Sequence, residues 1–394
     1  MTQTHTHIFP PARFPPITNP VGFEYGLDEP KFDPLIHLHL TAPAFVKPLL
    51  TSASQSKING TDPDVMFPVP YGPHGGGGKA CAMGPNGQRT PILFPGLAFT
   101  APFRILSDEG VRVCRSIIAR EERHAKQNER LPKTLRGLTY RSHFIRDLTY
   151  SLDVLQHLSS MAGEPLQPTG VSMNNAQVNF GQIGHDKPVD QWHMDSVPYV
   201  LVLLLSDATD MVGGELNVAR LADPNEALER IRSDTLDPRT IDTVNYPGPG
   251  WAIFMQGSKI AHGVTAVKHA REPRLTLVQS LQPSNPFSDP THTRYRTFKV
   301  QDPGGIAPQE IGRHYAWRVA GKLDYVLERG LWGDEGKEEM LEVLDEAKKE
   351  LEFATDVMRE TIIDESPYKV DESSDAYKEM LKARDEVLTL RSKL

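Results

Sequence analysis

Between residues 171 and 282, short strand-like segments follow one another, separated by turn sequences rich in Gly and Pro. Some of them alternate apolar and polar residues, and 199–205 is a continuous apolar run rich in strand formers. A period of two residues is typical of β-strands, and many short strands in one block are typical of an antiparallel sandwich or barrel. The sequence therefore predicts a mainly β core with a jelly-roll or barrel-like arrangement. The predicted strands are 171–180, a segment around His193, 199–205, 215–220, 251–256 and 274–282, with Gly213-Gly214 as the turn before 215–220.

Helical patterns flank this block on both sides. Ser107, followed by two acidic residues, predicts the start of one helix, and a second is predicted over Ser142–Met161 with Gly163 ending it. After Pro303, apolar residues recur at spacings of three and four, notably over 340–358 and 377–388, which indicates helices that pack into a core or form a dimer. The predicted domains are 1–100, an irregular Pro- and Gly-rich region packing on the core, 101–300, the β core with support helices, and 301–394, a helical region.

The composition is that of an ordinary soluble enzyme. The 394 residues carry a formal net charge of −8, with 24% charged and 39% hydrophobic residues, which argues against a general nucleic-acid binder. Two cysteines, Cys81 and Cys114, are too few for a disulfide framework and favour reduced thiols. No apolar run reaches the roughly 18 residues of a membrane span, and the first residues lack the apolar core of a secretory signal. We therefore expect a cytoplasmic protein that binds neither membranes nor nucleic acids.

The residues with the clearest chemical potential lie in the segment Gln191-Trp192-His193-Met194-Asp195. In a strand, residues i and i+2 share a face, so His193 and Asp195 would emerge side by side. His262 follows a later apolar strand and is the third candidate ligand. Two histidines and one carboxylate leave positions free on an octahedral ion, as in non-haem Fe(II) oxygenases, where a chelating co-substrate and O₂ bind there. Zinc is the rival metal, but its usual helical H-E-x-x-H motif is absent from this sequence.

A possible carboxylate-binding pair follows His262 in the segment Arg274-Leu275-Thr276. On one strand face, the guanidinium of Arg274 and the hydroxyl of Thr276 could hold a single carboxylate. The predicted strand 171–180 carries a polar row that lines a cavity if it points into a barrel, and otherwise forms a solvated surface. The ordered set of His-x-Asp, a distant His and Arg-x-Thr is more specific than any of its parts.

On these motifs, residues from about 170 to 282 resemble the Fe(II)/2-oxoglutarate-dependent dioxygenase superfamily. The resemblance implies a double-stranded β-helix, a cupin-like jelly-roll, with Fe(II) as cofactor and 2-oxoglutarate and O₂ as co-substrates. Halogenating members carry a small residue in place of the carboxylate ligand, so Asp195 implies oxygen-derived chemistry. The implied site residues are His193, Asp195 and His262 for the metal, and Arg274, Thr276, Asn179 and Gln177 for 2-oxoglutarate.

The implied function is oxidation of an unactivated C–H bond of a small amino-acid-like or natural-product molecule, as in secondary metabolism, by hydroxylation, desaturation or oxidative cyclisation. One alternative is an iron enzyme of the same fold in which the Arg-x-Thr pair holds the substrate and 2-oxoglutarate is not used. Another is a non-catalytic jelly-roll binding protein, and a homodimer through the C-terminal helices is a further expectation. Candidate substrate contacts, each with a structural role as its alternative, are Tyr140, Arg141, Tyr199, Phe254 and Gln256.

Overall fold

The computed structural model describes residues 19–26, 28–50, 96–127, 130–288 and 305–359, the backbone of 81–83 and 89–91, and the single residues Thr293, Tyr295 and Phe298. The chain divides into two compact units. The β unit consists of Tyr25–Pro168 and Asn174–Gln282, and the helical unit consists of Met1–Glu24, Thr169–Met173 and Pro283–Leu394. The three-domain division at about residues 100 and 300 stays a prediction.

Short strands build the β unit, and most of their pairs are antiparallel. A mainly β core is therefore confirmed. The strands are β1 (Val46–Pro48), β2 (Cys81–Met83), β3 (Arg89–Pro91), β4 (Leu97–Thr100), β5 (Phe103–Arg104), β6 (Thr134–Leu135), β7 (Leu166–Pro168), β8 (Gln177–Gly181), β9 (Asp190–His193), β10 (Tyr199–Leu204), β11 (Leu216–Ala219), β12 (Ile241–Val244), β13 (Trp251–Met255), β14 (His262–Val264) and β15 (Arg274–Pro283).

Two sheets carry most of these strands. The larger sheet has the order β1-β4-β13-β10-β15-β8-β6, with β5 paired to β13 and β7 paired to β15. The smaller sheet has the order β12-β11-β14-β9, and β2 and β3 pair separately. Strands that are consecutive in the chain therefore often belong to different sheets.

The two faces of the larger sheet differ in chemistry. Residues directly opposite each other in paired strands share a face. Leu277 lies opposite Leu203 and Val178, and all three belong to the main apolar core together with residues of the flanking helices. Thr276 lies opposite Asn179, so the other face carries these two and Arg274. We call the first the helix-packed face and the second the polar face.

Helices flank the β unit and form the described part of the helical unit, and none of them is both long and apolar enough to cross a membrane. The predicted cap of the helix Asp108–Glu121 is confirmed, since Ser107 Oγ accepts a hydrogen bond from the backbone N–H of Gly110 at 3.0 Å. The helices are α1 (Pro34–His37), α2 (Asp108–Glu121), α3 (His143–Thr149), α4 (Leu152–Ala162), α5 (Pro224–Arg232), α6 (Ala307–Glu328) and α7 (Gly333–Met358).

The single helix predicted over 142–161 is wrong, because the chain forms α3 and α4 instead. The break follows Thr149, whose hydroxyl donates to the carbonyl of Ile145 at 2.8 Å and so competes with the helical ladder. Tyr150 then ends α3, with its N–H on the Arg146 carbonyl. Gly163 does end α4, in the left-handed conformation with φ of 75°.

The strand predicted over 171–180 begins later than expected, at Gln177. Residues Ser172–Asn174 form a 3₁₀ turn, and Ala176 adopts a left-handed φ of 55°, which no strand accommodates. The polar row of this strand is therefore reduced to Gln177 and Asn179. The Gly213-Gly214 turn lies between β10 and β11 as predicted, but these strands belong to different sheets and do not pair.

Part of the region expected to be irregular before residue 100 is ordered into the larger sheet. Val46–Pro48 and Leu97–Thr100 pair with each other as β1 and β4, and β4 pairs with β13. The sequence signal is weak because each strand is short and bounded by Pro or Gly. The Gly-rich segment 73–79 lies outside the described residues.

The apolar stripe predicted over 340–358 is only half buried. Val343, Ala347 and Ala354 of α7 are buried, whereas Leu344 and Leu351 are 39% and 46% exposed. Because the helix offers two neighbouring apolar rows, periodicity alone did not determine which row is buried. The second predicted stripe, at 377–388, lies outside the described residues.

Candidate metal and carboxylate site

His193, Asp195 and His262 lie together in the β unit. One nitrogen or oxygen atom of each side chain lies within 4.8 Å of those of the other two. His193 Nε2 is 3.3 Å from Asp195 Oδ1, and His262 Nε2 is 3.5 Å from Asp195 Oδ2. The two imidazole rings are 4.3 Å apart between centroids, at an angle of 54°. The three side chains could therefore hold a single ion between them.

The histidines are neighbours because β9 pairs with β14, with His193 directly opposite His262. The next pair is Val264 with Asp190, so β9 uses one residue more than β14 over the same length. Such a bulge rotates part of a strand and re-aims its side chains. It brings Asp190 and His193 close together, with 3.6 Å between a carboxylate oxygen and Nδ1, although they are three residues apart.

Asp195 reaches the histidines by a route different from the predicted one. β9 ends at His193, so the two residues do not share a strand. The backbone N–H of Asp195 instead donates to the carbonyl of Gly257 at 3.0 Å, which fixes the loop after β9 to the loop after β13. A Cβ at position 257 would lie 1.9 Å from Asp195 Oδ2, so the carboxylate occupies space that only glycine leaves free.

Both imidazoles are oriented by backbone carbonyls two residues before them. His193 Nδ1 lies 2.6 Å from the Gln191 carbonyl, and His262 Nδ1 lies 3.2 Å from the Ile260 carbonyl. A carbonyl only accepts hydrogen bonds, so each Nδ1 carries the proton and donates. In the neutral rings the lone pair is then on Nε2, which points towards Asp195 in both cases. This is the tautomer that a metal-binding histidine needs.

The electrostatics of the cluster favour the metal-binding protonation states. Burial, together with the neighbouring His193, lowers the pKa of His262 to about 4, which leaves the ring neutral at pH 7. Burial alone would raise the pKa of Asp195, but the charge of His262 and the hydrogen bond and charge of His193 outweigh it and hold the pKa well below its usual range. The cluster thus presents the neutral imidazole of His262 to an ionised carboxylate.

The residues fit a bound cation. Asp195 Oδ2 is buried and has no hydrogen-bond partner among the described residues. Two Nε2 lone pairs and a carboxylate converge within a few ångströms, an arrangement that repels itself unless a cation lies between them. Nitrogen and carboxylate donors of this kind suit Fe(II) as well as zinc.

Arg274 is the second unusual group of the site. It is 1% exposed, and its Nη1 donates to Thr276 Oγ1 at 3.3 Å. Its Nε and Nη2 have no hydrogen-bond partner among the described residues. Burial lowers the pKa of the guanidinium, partly offset by Tyr246 and by the charges of Asp190 and Glu215, yet an arginine keeps its proton in proteins. A buried cation with unused donors is suited to bind an anion.

The polar residues around Thr276 form an ordered network. Asn179 lies opposite Thr276, and its Oδ1 accepts hydrogen bonds from Gln177 Nε2 at 2.7 Å and from Thr134 Oγ1 at 3.3 Å. With this oxygen satisfied, the amide nitrogen of Asn179 is left as a donor. Thr276, Asn179 and Gln177 therefore lie on the polar face with Arg274, as the register requires.

Two candidate substrate contacts, Tyr199 and Phe254, lie on the helix-packed face. Their rings stack with 5.6 Å between centroids, and both belong to the main apolar core. The Tyr199 hydroxyl donates to Glu164 at 2.6 Å. This packing gives both residues a structural role, and their substrate role stays a prediction without support from it.

The other three candidates differ in their surroundings. Tyr140 is buried in a 3₁₀ turn before α3, and Arg141 Nη1 lies 3.3 Å from His124 Nε2 at the end of α2. His124, the partner of Arg141, does not belong to the metal cluster. Gln256 directly precedes Gly257, and its Oε1 is buried without a hydrogen-bond partner among the described residues. Of the five candidates, Gln256 has the surroundings that best match a ligand contact.

Tyr246 was missed by sequence reasoning, which found only turn chemistry in its segment. Its ring centroid lies 5.7 Å from Cζ of Arg274, and its hydroxyl donates to the Val202 carbonyl at 3.2 Å. The ring covers the guanidinium and excludes water from it. Its position in a Pro- and Gly-rich turn carries no signal of this contact.

A second missed feature is the ion pair between Arg130 and Asp190, at 2.9 Å. Asp190 faces His193 through the bulge of β9, and the charge of Arg130 contributes to the low pKa of Asp195. The pair therefore acts electrostatically on the metal cluster. No local motif predicts it, because the two residues are far apart in the chain.

Comparison with known proteins finds similarity by structure alone. No family model matches the chain, and no curated protein matches it by sequence. Solved structures similar to this chain include 2-oxoglutarate-Fe(II) oxygenases. An oxidoreductase of the 2OG-Fe(II) oxygenase family from Burkholderia pseudomallei is 15% identical, over 45% of this chain and 79% of that chain, with a TM-score of 0.33.

Two similar structures come from enzymes with more specific descriptions. SnoN, a non-haem α-ketoglutarate-dependent epimerase from nogalamycin biosynthesis, is 16% identical, over 45% of this chain and 74% of that chain, with a TM-score of 0.34. HygX from Streptomyces hygroscopicus, solved with nickel, 2-oxoglutarate and hygromycin B, is 17% identical, over 49% of this chain and 85% of that chain, with a TM-score of 0.35. HygX has also been solved with iron bound.

Proposed function

We propose that the protein is an Fe(II)- and 2-oxoglutarate-dependent oxygenase of a small molecule, built on a double-stranded β-helix. The observation that carries the proposal is the coexistence of two incomplete sites in one unit. One is a His-Asp-His cluster whose lone pairs converge, and the other is a buried arginine with unused donors. The charge of Asp190 acts on both His262 and Arg274.

His193, Asp195 and His262 would hold Fe(II) through Nε2 of each ring and the Asp195 carboxylate. The Gln191 and Ile260 carbonyls hold the rings in the required tautomer, so metal binding needs no reorientation. When bound, Fe(II) with 2-oxoglutarate and O₂ supplies the oxidant for a C–H bond, and the 2-oxo acid leaves as succinate and CO₂.

Arg274 would bind the distal carboxylate of 2-oxoglutarate through its unused Nε and Nη2 donors, with Thr276 beside it. The amide nitrogen of Asn179, whose side chain is oriented by Gln177 and Thr134, would donate a hydrogen bond to the same molecule. Tyr246 would keep water from the guanidinium, which strengthens its hold on the carboxylate. The chain's own contribution is thus orientation, charge and exclusion of water.

The substrate is proposed to be a small amino-acid-like or natural-product molecule, oxidised by hydroxylation, desaturation or oxidative cyclisation. Asp195 supports oxygen-derived chemistry over halogenation, because it supplies the carboxylate ligand. Among the substrate candidates, Gln256 has the support of its buried unpartnered oxygen beside Gly257. A cytoplasmic location stays a prediction.

Anaerobic titration of the Fe(II)-loaded protein tests the proposal directly. Addition of 2-oxoglutarate should produce a weak visible charge-transfer band, and aerobic turnover should release succinate. If the band is absent, the result favours the alternative of an iron enzyme that does not use 2-oxoglutarate. Without metal binding and succinate, the non-catalytic binding protein is favoured. A screen of amino acids and small metabolites for substrate-dependent succinate, with mass spectrometry of the products, then identifies the substrate.

The homodimer through the C-terminal helices also stays a prediction. The observation relevant to it is a row of partly exposed leucines on α7, of which Leu341 is 52% exposed. Light scattering coupled to size-exclusion chromatography tests it, with a mass near the 43.9 kDa of one chain as the contradicting result.

A further inference from the structure

The aliphatic stem of Arg274 runs through a narrow slot. Gly181 of β8 lies directly opposite Arg274 in the sheet, and a Cβ at that position would be 2.9 Å from Arg274 Cβ. A Cβ at Gly214 would be 2.9 Å from Arg274 Cδ. The fully buried Val267 has its Cγ2 atom 3.2 Å from both of these Cβ positions. The two glycines thus line the stem at Cβ and at Cδ, and Val267 packs beside both glycines.

The slot leaves the stem little lateral freedom. A Cβ closer than 3.0 Å to another atom forces a shift, so a methyl group would crowd Arg274 together with Met211 at Gly214, and Arg274 together with Val189 at Gly181. Cδ is the carbon directly before the guanidinium, and a shift there swings the charged group as a whole. The position of the guanidinium therefore depends on the absence of side chains at the two glycines.

The slot ends at a group that can bind a ligand, the guanidinium of Arg274, and a purely structural slot would not need one. Arg274 as a whole is 1% exposed, and its guanidinium keeps Nε and Nη2 without a hydrogen-bond partner among the described residues. A long flexible side chain would ordinarily adjust to ligands of different length. Here the stem is clamped, so the position of the carboxylate-binding end is fixed relative to the sheet.

We propose that the slot formed by Gly181, Gly214 and Val267 selects the chain length of the 2-oxo diacid. The inference rests on the proposed function, because it assumes that Arg274 binds the distal carboxylate of a co-substrate chelated at the metal. With both ends of the site fixed, a five-carbon diacid fits, and acids shorter or longer by one carbon lose one of the two contacts.

Calorimetric titration of the Fe(II)-loaded protein under argon tests the slot. The probes are oxaloacetate, 2-oxoglutarate and 2-oxoadipate, with four, five and six carbons. Gly214→Ala should weaken 2-oxoglutarate binding by about ten- to hundredfold, the scale on which a misplacement of about 1 Å acts. The preference for 2-oxoglutarate over the two other acids should narrow at the same time.

Gly184→Ala is the matched control. Gly184 and Gly214 share a φ of 76°, but a Cβ at Gly184 meets nothing within 4 Å. Both substitutions carry the same backbone strain, and the crowding of Arg274 is specific to Gly214. Gly184→Ala should therefore keep all three dissociation constants near those of the unmodified protein.

Val267→Ala tests the slot from the opposite direction, by widening it, and serves if Gly214→Ala does not fold. It should also narrow the preference for the five-carbon acid, since the stem gains room. The inference would be overturned if the variants discriminated among the three acids as well as the unmodified protein does. It would also be overturned if they bound all three acids more weakly by the same factor. An unmodified protein that binds none of the acids would instead refute the proposed function.

Discussion

Arg274 in the β unit and Arg318 in the helical unit are buried to nearly the same degree, at 1% and 2% exposure. Their partners differ completely. Arg318 donates to the Glu350 carboxylate at 2.9 Å and to the Ser288 carbonyl at 2.7 Å, and Lys322 shares the same carboxylate at 3.0 Å. Arg274 has the Thr276 hydroxyl as its hydrogen-bond partner and no carboxylate partner among the described residues.

The difference separates a structural charge from one reserved for a ligand. A buried charge without a partner costs several kcal/mol of folding free energy, so a chain retains it only where something else compensates. Glu350 provides that compensation between α6 and α7. In the β unit, Arg274 Nε and Nη2 and Asp195 Oδ2 have no hydrogen-bond partner among the described residues, and we infer that ligands complete both groups. Each prediction below tests one side of this contrast.

The largest effect is expected at the metal cluster. Asp195→Ala should lower substrate-dependent succinate formation by about a thousandfold or more, because it removes a ligand worth several kcal/mol of transition-state stabilisation. The fold should be retained, since Asp195 Oδ2 has no hydrogen-bond partner among the described residues and Oδ1 contacts His193 of the same cluster. Circular dichroism checks the fold, and His262→Ala should behave in the same way. If the variant retains turnover, Asp195 is not a charged group that serves to bind a ligand.

At Glu350, the contrast predicts a loss of stability instead of a loss of activity. Glu350→Ala leaves Arg318 and Lys322 buried without their shared carboxylate, and should lower the free energy of unfolding by about 3–5 kcal/mol. Denaturant unfolding measures the loss. Affinity for 2-oxoglutarate should not change in the folded fraction.

Glu346→Ala is the control, because Glu346 also pairs with Lys322 but its side chain is 55% exposed. An exposed partner of this kind contributes about 1 kcal/mol or less. A similar loss for Glu346→Ala and Glu350→Ala would mean that burial does not distinguish the two carboxylates.

Arg274→Met tests the other side of the contrast at similar side-chain volume. The dissociation constant for 2-oxoglutarate should rise by about ten- to hundredfold, which corresponds to about 1.5–3 kcal/mol for hydrogen bonds to a charged group. Without ligand, the melting temperature should stay the same or rise, because an uncompensated buried charge is removed. The matched Arg318→Met should lower the melting temperature and leave 2-oxoglutarate affinity unchanged. If both variants destabilise the protein equally, Arg274 is a structural residue.

Local patterns account for the parts of the fold that were predictable from the sequence. Short apolar runs rich in strand formers predicted β10 and β13, and period-two alternation predicted β15, each almost to the residue. Capping chemistry predicted the start of α2 and the end of α4. These signals depend on neighbouring residues alone, which is why a single sequence contains them.

The features that could not be predicted depend on contacts between distant segments. The bulge that brings Asp190 beside His193 arises from the pairing of β9 with β14. The position of Asp195 depends on the Gly257 carbonyl, and not on the strand assumed for it. Tyr246 contacts Arg274 from a turn with no periodicity. The residue types at the candidate site were readable from the sequence, but the way each is held was not.

The smallest predicted effect extends the contrast to a buried neutral group. His314 in α6 is buried, and its two ring nitrogens have no hydrogen-bond partner among the described residues. Burial, assisted by the charge of Arg318, lowers its pKa to about 3. Its unfolded pKa is about 6.5, so between these values the unfolded state binds a proton that the folded state does not. Stability should therefore be fully present above about pH 6.5 and fall as the pH decreases towards 3.

His314→Gln should make the free energy of unfolding less dependent on pH in this window, by at most about 1.4 kcal/mol per pH unit. Urea unfolding at a series of pH values measures the difference between the two proteins. His185→Gln, at an exposed position, is the control and should leave the pH dependence unchanged. An identical slope for His314→Gln and the unmodified protein would mean that His314 binds protons equally in the folded and unfolded states. The folded protein would then carry a second positive charge beside Arg318 at low pH, and that charge would need a partner as Arg318 does.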